Sequence, residues 1–269
     1  MTGSTAVHRA LECLDEEQEA VAERGAAFET FARRVRDIPT ESPSAGWTRQ
    51  ATAATPTAMA TAIQSQQPAP SARGTRCVTA REAFAEIVRP HSIADREADE
   101  PLIETMAAEL SEDIAVALAS ETGWTPVLKA AVCEEIETRQ REVEMVQEIL
   151  RNEREAVEDA IEEIGKILAW LQTTADESLL QCNFETLRGK HERLAIYRDR
   201  LETLTTDRQA QFTHSTNRYG PGGTRYRTLV ESVYSDCSVR YPLLSSATRL
   251  YGICGDCQRT VRTHLSRRV

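Results

Sequence analysis

Residues 127–172, VLKAAVCEEIETRQREVEMVQEILRNEREAVEDAIEEIGKILAWLQ, decide the fold of this chain. Apolar residues recur there at every seventh position, namely Ile136, Val143, Leu150, Val157, Ile164 and Leu171. The positions three residues further on form a weaker series, which is Arg139, Val146, Glu153, Ala160 and Ile167. Most of the flanking residues are charged. This pattern is typical of a helix whose apolar seam packs against another helix in a coiled coil.

A helix over residues 127–172 is too long for a compact core, because at about 1.5 Å per residue it spans roughly 70 Å. The next segment offers a partner, since leucines recur at every seventh position within 177–212. A short connection favours antiparallel neighbours. Residues 125–212 are therefore predicted to form a coiled-coil helical hairpin, in which Ile164 lies near Phe184–Leu187.

The rest of the sequence also predicts helices, and no strand-like alternation occurs. Residues 1–38 indicate an N-terminal amphipathic helix that ends at Pro39. Residues 77–124 indicate short helices, the first of which begins at a capping box, Thr79–Glu82. Residues 213–269 indicate a basic C-terminal helical pair. The predicted fold class is all-α, with a long antiparallel coiled-coil hairpin, additional short helices and a helical C-terminal segment.

Residues 39–76 differ from the rest of the chain in composition. They hold five of the ten prolines, together with many Ala, Thr, Ser and Gln residues and few large apolar ones. Such a stretch buries too little apolar surface to offset the entropy lost on ordering. We interpret it as a disordered Pro/Ala/Thr-rich linker and expect limited proteolysis to cut there first.

Charge is distributed unevenly along the chain. The net charge is −10 in total, but residues 1–187 carry −18 and residues 188–269 carry +8. Three lysines stand against 29 arginines, which together with the acidic composition is typical of a high-salt cytoplasm, although a GC-rich genome alone would also favour arginine over lysine. No signal peptide and no apolar run near the ~20 residues of a membrane span occurs. The seven cysteines have no regular spacing, which argues against a disulfide framework. A cytoplasmic location is expected.

One cysteine pair, Cys254 and Cys257, could carry chemistry. With His264, Cys237 or His214 it could supply zinc ligands, and a C-x-x-C pair can also be a redox dithiol. The zinc hypothesis needs a second closely spaced ligand pair, and the redox hypothesis needs a strand-to-helix context. The simplest interpretation is that cysteines at i and i+3 share one helix face and pack as small apolar residues.

The basic C-terminal third suggests contact with nucleic acid. Its candidate residues interleave arginines with an aromatic ring and comprise Arg218, Arg225, Tyr226, Arg227, Arg259, Arg262, Arg267 and Arg268. Two alternatives compete with this hypothesis. The basic region can pair with the acidic helix, and molar salt would weaken attraction to phosphate. No helix-turn-helix or zinc-finger signature accompanies the charge.

No residue is assigned to a catalytic, cofactor-binding or metal site. The five histidines share no motif, and the glutamate-rich runs resemble a solvated helix face. The segment Gly220–Gly223 lacks the Lys-Ser/Thr that follows in a phosphate loop, so it is predicted to be a hinge. The sequence therefore predicts a protein that is not an enzyme and needs no cofactor.

Several stretches together resemble a known family. They are residues 23–31 (ERGAAFETF), 99–102 (DEPL), 124–129 (WTPVLK), 182–187 (CNFETL), 241–244 (YPLL) and 257–262 (CQRTVR). They are similar to an uncharacterised family of haloarchaeal helical proteins, a domain of unknown function. The resemblance implies a helical fold and a high-salt cytoplasm, and it supplies no activity.

These observations predict a non-enzymatic coiled-coil protein that acts in protein–protein interaction or as a scaffold, through a protein partner or self-association at its helix seams. The alternative is a nucleic-acid-associated regulator that uses the basic C-terminal region. No membrane contact and no small-molecule substrate are indicated.

Overall fold

The computed structural model describes residues 6–41, 72–92, 100–120, 123–214, 226–235 and 237–267. Within these ranges the chain is all-helical, as predicted. The eight α-helices are α1 (Ala6–Asp37), α2 (Ala72–Ile87), α3 (Leu102–Glu109), α4 (Glu112–Ala119), α5 (Pro126–Ala175), α6 (Phe184–His214), α7 (Tyr226–Val233) and α8 (Pro242–Ser266). A 3₁₀ turn covers Arg89–His91.

The chain forms two compact units. The central unit is Glu23–Val143, and the terminal unit combines Met1–Ala22 with Glu144–Val269. Helices α1 and α5 each contribute residues to both units. Most of the predicted linker, residues 42–71, lies outside the described residues, while residues 72–76 belong to α2.

The central unit has a core built by α1, α2, α3, α4 and the start of α5. Phe31 of α1 packs edge-to-face on Phe84 of α2, with ring centroids 5.7 Å apart. Trp124 is completely buried in the same core. It follows Gly123, whose φ of 85° is a left-handed conformation that glycine adopts without strain.

Short polar side chains cap the first turns of two helices of the central unit. Ser111 accepts a hydrogen bond from the Ile114 amide at 3.3 Å and caps α4. Thr125 accepts one from the Leu128 amide at 3.1 Å at the start of α5. The predicted capping box at Thr79 is wrong, because α2 already begins at Ala72 and the Thr79 hydroxyl donates to a carbonyl of the preceding turn.

The terminal unit holds the pairing of α5 with α6. Trp170 packs on Tyr197 with ring centroids 5.3 Å apart, and Arg200 bonds Glu163 at 3.0 Å. Further from the connection, Arg208 bonds Glu153 at 2.5 Å. Residues that come earlier in α5 thus contact residues that come later in α6, so the two segments run antiparallel.

The predicted register of this pairing is wrong. Helix α5 continues to Ala175, and α6 begins only at Phe184. The cap of α6 is Asn183, whose side-chain oxygen accepts a hydrogen bond from the Thr186 amide at 2.8 Å. The longer connection shifts the contacts along α6, so that Glu163 meets Arg200 and its neighbour Ile164 does not meet Phe184–Leu187.

Candidate functional site

The terminal unit buries a complete ionic cluster centred on Glu153. The Glu153 side chain is 0% exposed and that of Arg208 is 4% exposed. Arg208 Nη2 donates to Glu153 Oε1 at 2.5 Å, and the Tyr234 hydroxyl donates to the same oxygen at 2.7 Å. The Tyr226 hydroxyl donates to Glu153 Oε2 at 2.6 Å. One carboxylate therefore receives three hydrogen bonds from two helices and the turn that follows α7.

The guanidinium of Arg208 is equally well satisfied. Its Nη1 donates to Gln211 Oε1 at 3.0 Å and to the Tyr226 hydroxyl oxygen at 2.9 Å. Its carbon lies 4.4 Å from the centroid of the Phe212 ring, which adds a cation–π contact. A buried ion pair is stable only when its remaining donors and acceptors have partners, and this arrangement meets that condition.

The electrostatics of the cluster keep its groups in the protonation states that the bonds require. Burial raises the pKa of Tyr226 and Tyr234, and the negative Glu153 raises both further, so the hydroxyls stay protonated donors. Burial lowers the pKa of Arg208, but its attraction to Glu153 and its hydrogen bonds outweigh this effect and the net shift is upward. The cluster joins α7 to α5 and α6, so its role is structural.

An apolar groove lies elsewhere in the terminal unit, where the end of α5, the start of α6 and the later turns of α8 come together. The cavity has a volume of about 500 Å³. Its apolar lining includes Leu168, Trp170, Leu171, Leu179, Leu194, Ile253 and Val261. Lys190 and Asp256 are charged residues at its wall. Lys190 is 7% exposed and donates to Glu177 at 2.6 Å, which fixes the connection between α5 and α6.

Exposed apolar residues lie close to the groove lining in the sequence. Leu180, which follows the lining residue Leu179, is 73% exposed, and Phe184 at the start of α6 is 42% exposed. Ile253 itself is 41% exposed although it lines the groove.

A second cavity of about 560 Å³ lies between α5 and α6. Its lining mixes charged residues, among them Asp159, Glu163 and Arg200, with apolar ones, among them Ile196 and Leu204. The Arg200–Glu163 bond joins its two walls.

The cysteines proposed as zinc or redox ligands do not converge. Cys254 is fully buried in an apolar cluster, and Cys257 lines the apolar groove. Burial raises the pKa of the Cys254 thiol to about 11, as expected for a thiol among apolar side chains. Cys237 packs against a different apolar cluster of the terminal unit. The His214 side chain lies outside the described residues, and no group of three or more His, Cys, Asp or Glu side chains in the described ranges could hold a metal ion.

The basic candidates have divided roles. Tyr226 belongs to the buried cluster, and Arg227 bonds Glu231 and Tyr241. Arg259 pairs with Asp256, whereas Arg262 and Arg267 are exposed on or next to the last turns of α8. The other three candidates, Arg218, Arg225 and Arg268, lie outside the described residues.

Sequence reasoning missed the cluster around Glu153. Arg139 and Glu153 are both polar residues in the weaker heptad series, and each bonds another element. Arg139 donates to the carbonyls of Glu109 at 2.8 Å and Ala108 at 3.2 Å, at the end of α3. A charged residue inside an apolar repeat was the signal that could have marked both positions.

The fold and these sites define a class of all-helical protein with a fully bonded buried ionic cluster and an open apolar groove. No described helix is long and apolar enough to cross a membrane. The chain matches the family described as "Domain of unknown function (DUF7260)" over residues 5–258, and it belongs to that family. It matches no curated protein and no solved structure.

Proposed function

We propose that this chain is a non-enzymatic interaction or scaffold protein of a halophilic cytoplasm, and that it binds a helix of a partner protein in the apolar groove of the terminal unit. The observation that carries the proposal is the open cavity of about 500 Å³ with exposed Ile253 in its lining. The acidic composition and the near absence of lysine support the high-salt setting.

We further propose that α5 and α6 act as an antiparallel coiled-coil hairpin that supports the groove. Three contacts support this arrangement, namely Trp170 with Tyr197, Glu163 with Arg200 and Glu153 with Arg208. The seam residues of α5 within the terminal unit, Leu150, Val157 and Ile164, are buried against residues of the same chain. The seam is therefore already occupied, and a partner must use another surface.

The groove fits an amphipathic helix better than a small molecule. A volume of about 500 Å³ alone would suit either occupant. Leu180, next to the lining residue Leu179 in the sequence, and Phe184 at the start of α6 are also exposed, and we propose that a partner helix covers them together with the groove. A helix with apolar residues at i, i+3, i+4 and i+7 would cover such an extended strip.

The test compares two matched isoleucines. Ile253→Glu puts a charge in the groove, and Ile196→Glu puts one at a position that is 45% exposed and does not line it. Partners are captured from the native organism at its own salt, purified, and titrated against each variant. A photo-crosslinking residue at position 253 then maps the contact.

The proposal expects wild type and Ile196→Glu to bind the purified partner equally and Ile253→Glu to bind at least tenfold more weakly. Crosslinks should fall on an apolar stripe of one partner helix. Equal binding by all three proteins would overturn the proposal, and so would crosslinks spread over an extended or polar segment.

A second candidate function, nucleic-acid regulation, is favoured by the arginines of α8. Arg249, Arg259 and Arg262 are exposed on that helix, Arg267 follows its end, and Asp256 is its one acidic residue. Retention on DNA across a salt series tests this function, because phosphate contacts make affinity fall steeply with salt. Retention at the organism's own salt that is lost in Arg249→Gln/Arg262→Gln would favour the regulator over the protein-binding proposal.

A further inference from the structure

The cavity between α5 and α6 in the terminal unit has accessible apolar surface. Ala160 of α5 and Leu243 of α8 are buried lining residues, and Leu204 of α6 packs against the same apolar cluster. Ile196 also lines the cavity and is 45% exposed. Ala156 and Ala160 have short side chains, which leaves room between the two helices. An apolar side chain of another molecule that entered the cavity would be shielded from water by these residues.

Three aspartates add negative charge to the same lining. Asp159 lies on α5, whereas Asp199 and Asp207 lie on α6, and all three are exposed. Among the described residues, none of these three takes part in a salt bridge. Their carboxylates are therefore available to cationic groups of another molecule.

The two arginines of the lining do not offset this charge, because each already has a carboxylate partner. Arg200 donates to Glu163 at 3.0 Å, and Arg208 donates to the buried Glu153 at 2.5 Å. The three aspartates therefore leave the cavity with a net negative charge. We call the cavity with these aspartates the acidic groove.

The acidic groove is elongated along α6. On this helix its lining extends from Ile196 to Gln211, at positions that share one helix face. At about 1.5 Å per residue this distance is roughly 22 Å, which is the length of a helix of about four turns. A compact small ligand would cover only part of the lining. The shape therefore favours a helix as the occupant.

We propose that the acidic groove binds a basic amphipathic helix of a partner protein. The apolar stripe of that helix covers Ile196 and Leu204, and its flanking arginines or lysines pair with the three aspartates. Complementary charge selects the partner and fixes its orientation. The acidic groove and the apolar groove share no lining residue, so this inference does not depend on protein binding in the apolar groove.

Salt separates this contact from diffuse electrostatic attraction. A chain with a net charge of −10 attracts any polycation at low ionic strength. At about 1 M salt the Debye length is about 3 Å, so only charges in direct contact still attract each other. The burial of apolar surface does not depend on this screening. A helix that fits the groove therefore stays bound at that salt concentration.

A peptide titration against the full-length protein tests the proposal. The probe is a synthetic helix of about 18 residues with leucines at i, i+3, i+4 and i+7 and arginines beside them. Its control has the same leucines and glutamates in place of the arginines. Fluorescence anisotropy in about 1 M potassium chloride measures both affinities. The basic peptide should bind at least tenfold more tightly than the acidic one, and equal affinities or no binding of the basic peptide would overturn the proposal.

Matched isoleucine and valine variants locate the apolar contact. Ile196→Glu puts a charge in the acidic groove and should weaken binding of the basic peptide at least tenfold. Val116→Glu changes an exposed residue of the central unit and should bind as the wild-type protein does. Equal affinity of Ile196→Glu and wild type would overturn the proposal. Ile196 does not line the apolar groove, so failure at one site is distinguishable from failure at the other.

A second pair of variants tests the charge. Asp199→Asn/Asp207→Asn removes two negative charges of the groove and should weaken binding severalfold. Glu192→Gln/Glu202→Gln removes two exposed negative charges of the same helix outside the groove and should leave the affinity unchanged. Equal affinities of the two double variants would show that total charge, and not the groove, attracts the peptide.

Two measurements on the wild-type protein complete the test. A photoreactive leucine analogue in the basic peptide should crosslink to residues 156–163 and 196–211, and crosslinks mainly elsewhere would overturn the proposal. Sedimentation of the protein without peptide should show the same species for wild type and Ile196→Glu. A wild-type dimer that dissociates in Ile196→Glu would assign the groove to a second copy of this chain and overturn the proposal.

Discussion

Arg208 donates to Glu153 at 2.5 Å inside the terminal unit, with both side chains almost completely withdrawn from water. The pair joins α5 to α6 at a point where the heptad pattern would place an apolar residue. Buried polar pairs of this kind can fix the register of packed helices, because any other register leaves a charge without a partner. We infer that this contact specifies the observed alignment of α5 and α6.

Glu153→Gln should therefore destabilise the protein strongly. The substitution keeps the size of the side chain but leaves the Arg208 charge buried without its counter-ion, at a cost of about 3–5 kcal/mol. Urea unfolding followed by circular dichroism measures the change. Glu155→Gln is the control, because Glu155 lies two residues further along α5 and is exposed. Its stability should stay within about 0.5 kcal/mol of wild type. Equal stability of the two variants would show that the pair does not hold the helices.

Leu150→Asp should disrupt the same region by a different route. Leu150 is 0% exposed and packs in the cluster with Val157 and Tyr234. A carboxylate there has no partner, so we expect a loss of more than about 4 kcal/mol in unfolding free energy. Glu148→Gln, on the exposed face, should change little. Unchanged helicity and melting temperature in Leu150→Asp would contradict the packing of α5 described above.

Lys129, on α5, caps the C-terminal end of α1 in the central unit. Its ammonium group donates to the carbonyls of Arg36 at 2.6 Å and Ile38 at 2.8 Å. Lys129→Met keeps the aliphatic stem and removes both charged hydrogen bonds, so we expect a loss of about 1–3 kcal/mol. Lys166→Met is the matched control, because Lys166 bonds only Glu162 on an exposed surface. A thermal melt in which both variants behave alike would refute the capping role.

The Cys254 and Cys257 pair should contribute to packing. Alanine at both positions is expected to cost about 1–3 kcal/mol, most of it at the fully buried Cys254. Metal analysis of the wild-type protein is the check, since stoichiometric zinc that disappears in the double variant would contradict this interpretation.

The buried thiol of Cys254 predicts that the stability of the protein depends on pH. Its pKa is raised to about 11 in the folded protein, so its contribution to stability is complete below the pKa of the unfolded chain and is lost as the pH rises through about 11. Cys254→Ala should therefore lose less stability than wild type between pH 8 and pH 11, as measured by urea unfolding across that range.

Local sequence signals predicted most of the secondary structure. The predicted end of α1 at Pro39 and the predicted start of the hairpin at residue 125 lie within a few residues of the observed helix boundaries. These boundaries are predictable because proline and N-cap chemistry act locally. The register of α5 against α6 could not be read in this way. It depends on where the connection ends, and the decisive cap is Asn183, several residues beyond the expected reversal.

The candidate site was harder to predict than the helices. Glu153 interrupts the apolar repeat of α5, but its partners Arg208, Tyr226 and Tyr234 lie far away in the sequence, and no local pattern identifies them. Burial of Leu150 and Val157 was predictable, because a regular apolar repeat indicates which face of a helix is buried.

The placement of tryptophan gives each unit its own fluorescent reporter. Trp124 is completely buried in the central unit and donates to the Ile38 carbonyl at 3.4 Å, while Trp170 is half-buried beside Tyr197 in the terminal unit. Trp47, the third indole, lies outside the described residues. A Trp47→Phe protein would emit from these two sites alone. Loss of the terminal unit's structure would then red-shift the Trp170 emission while the spectrum of Trp124 stayed unchanged.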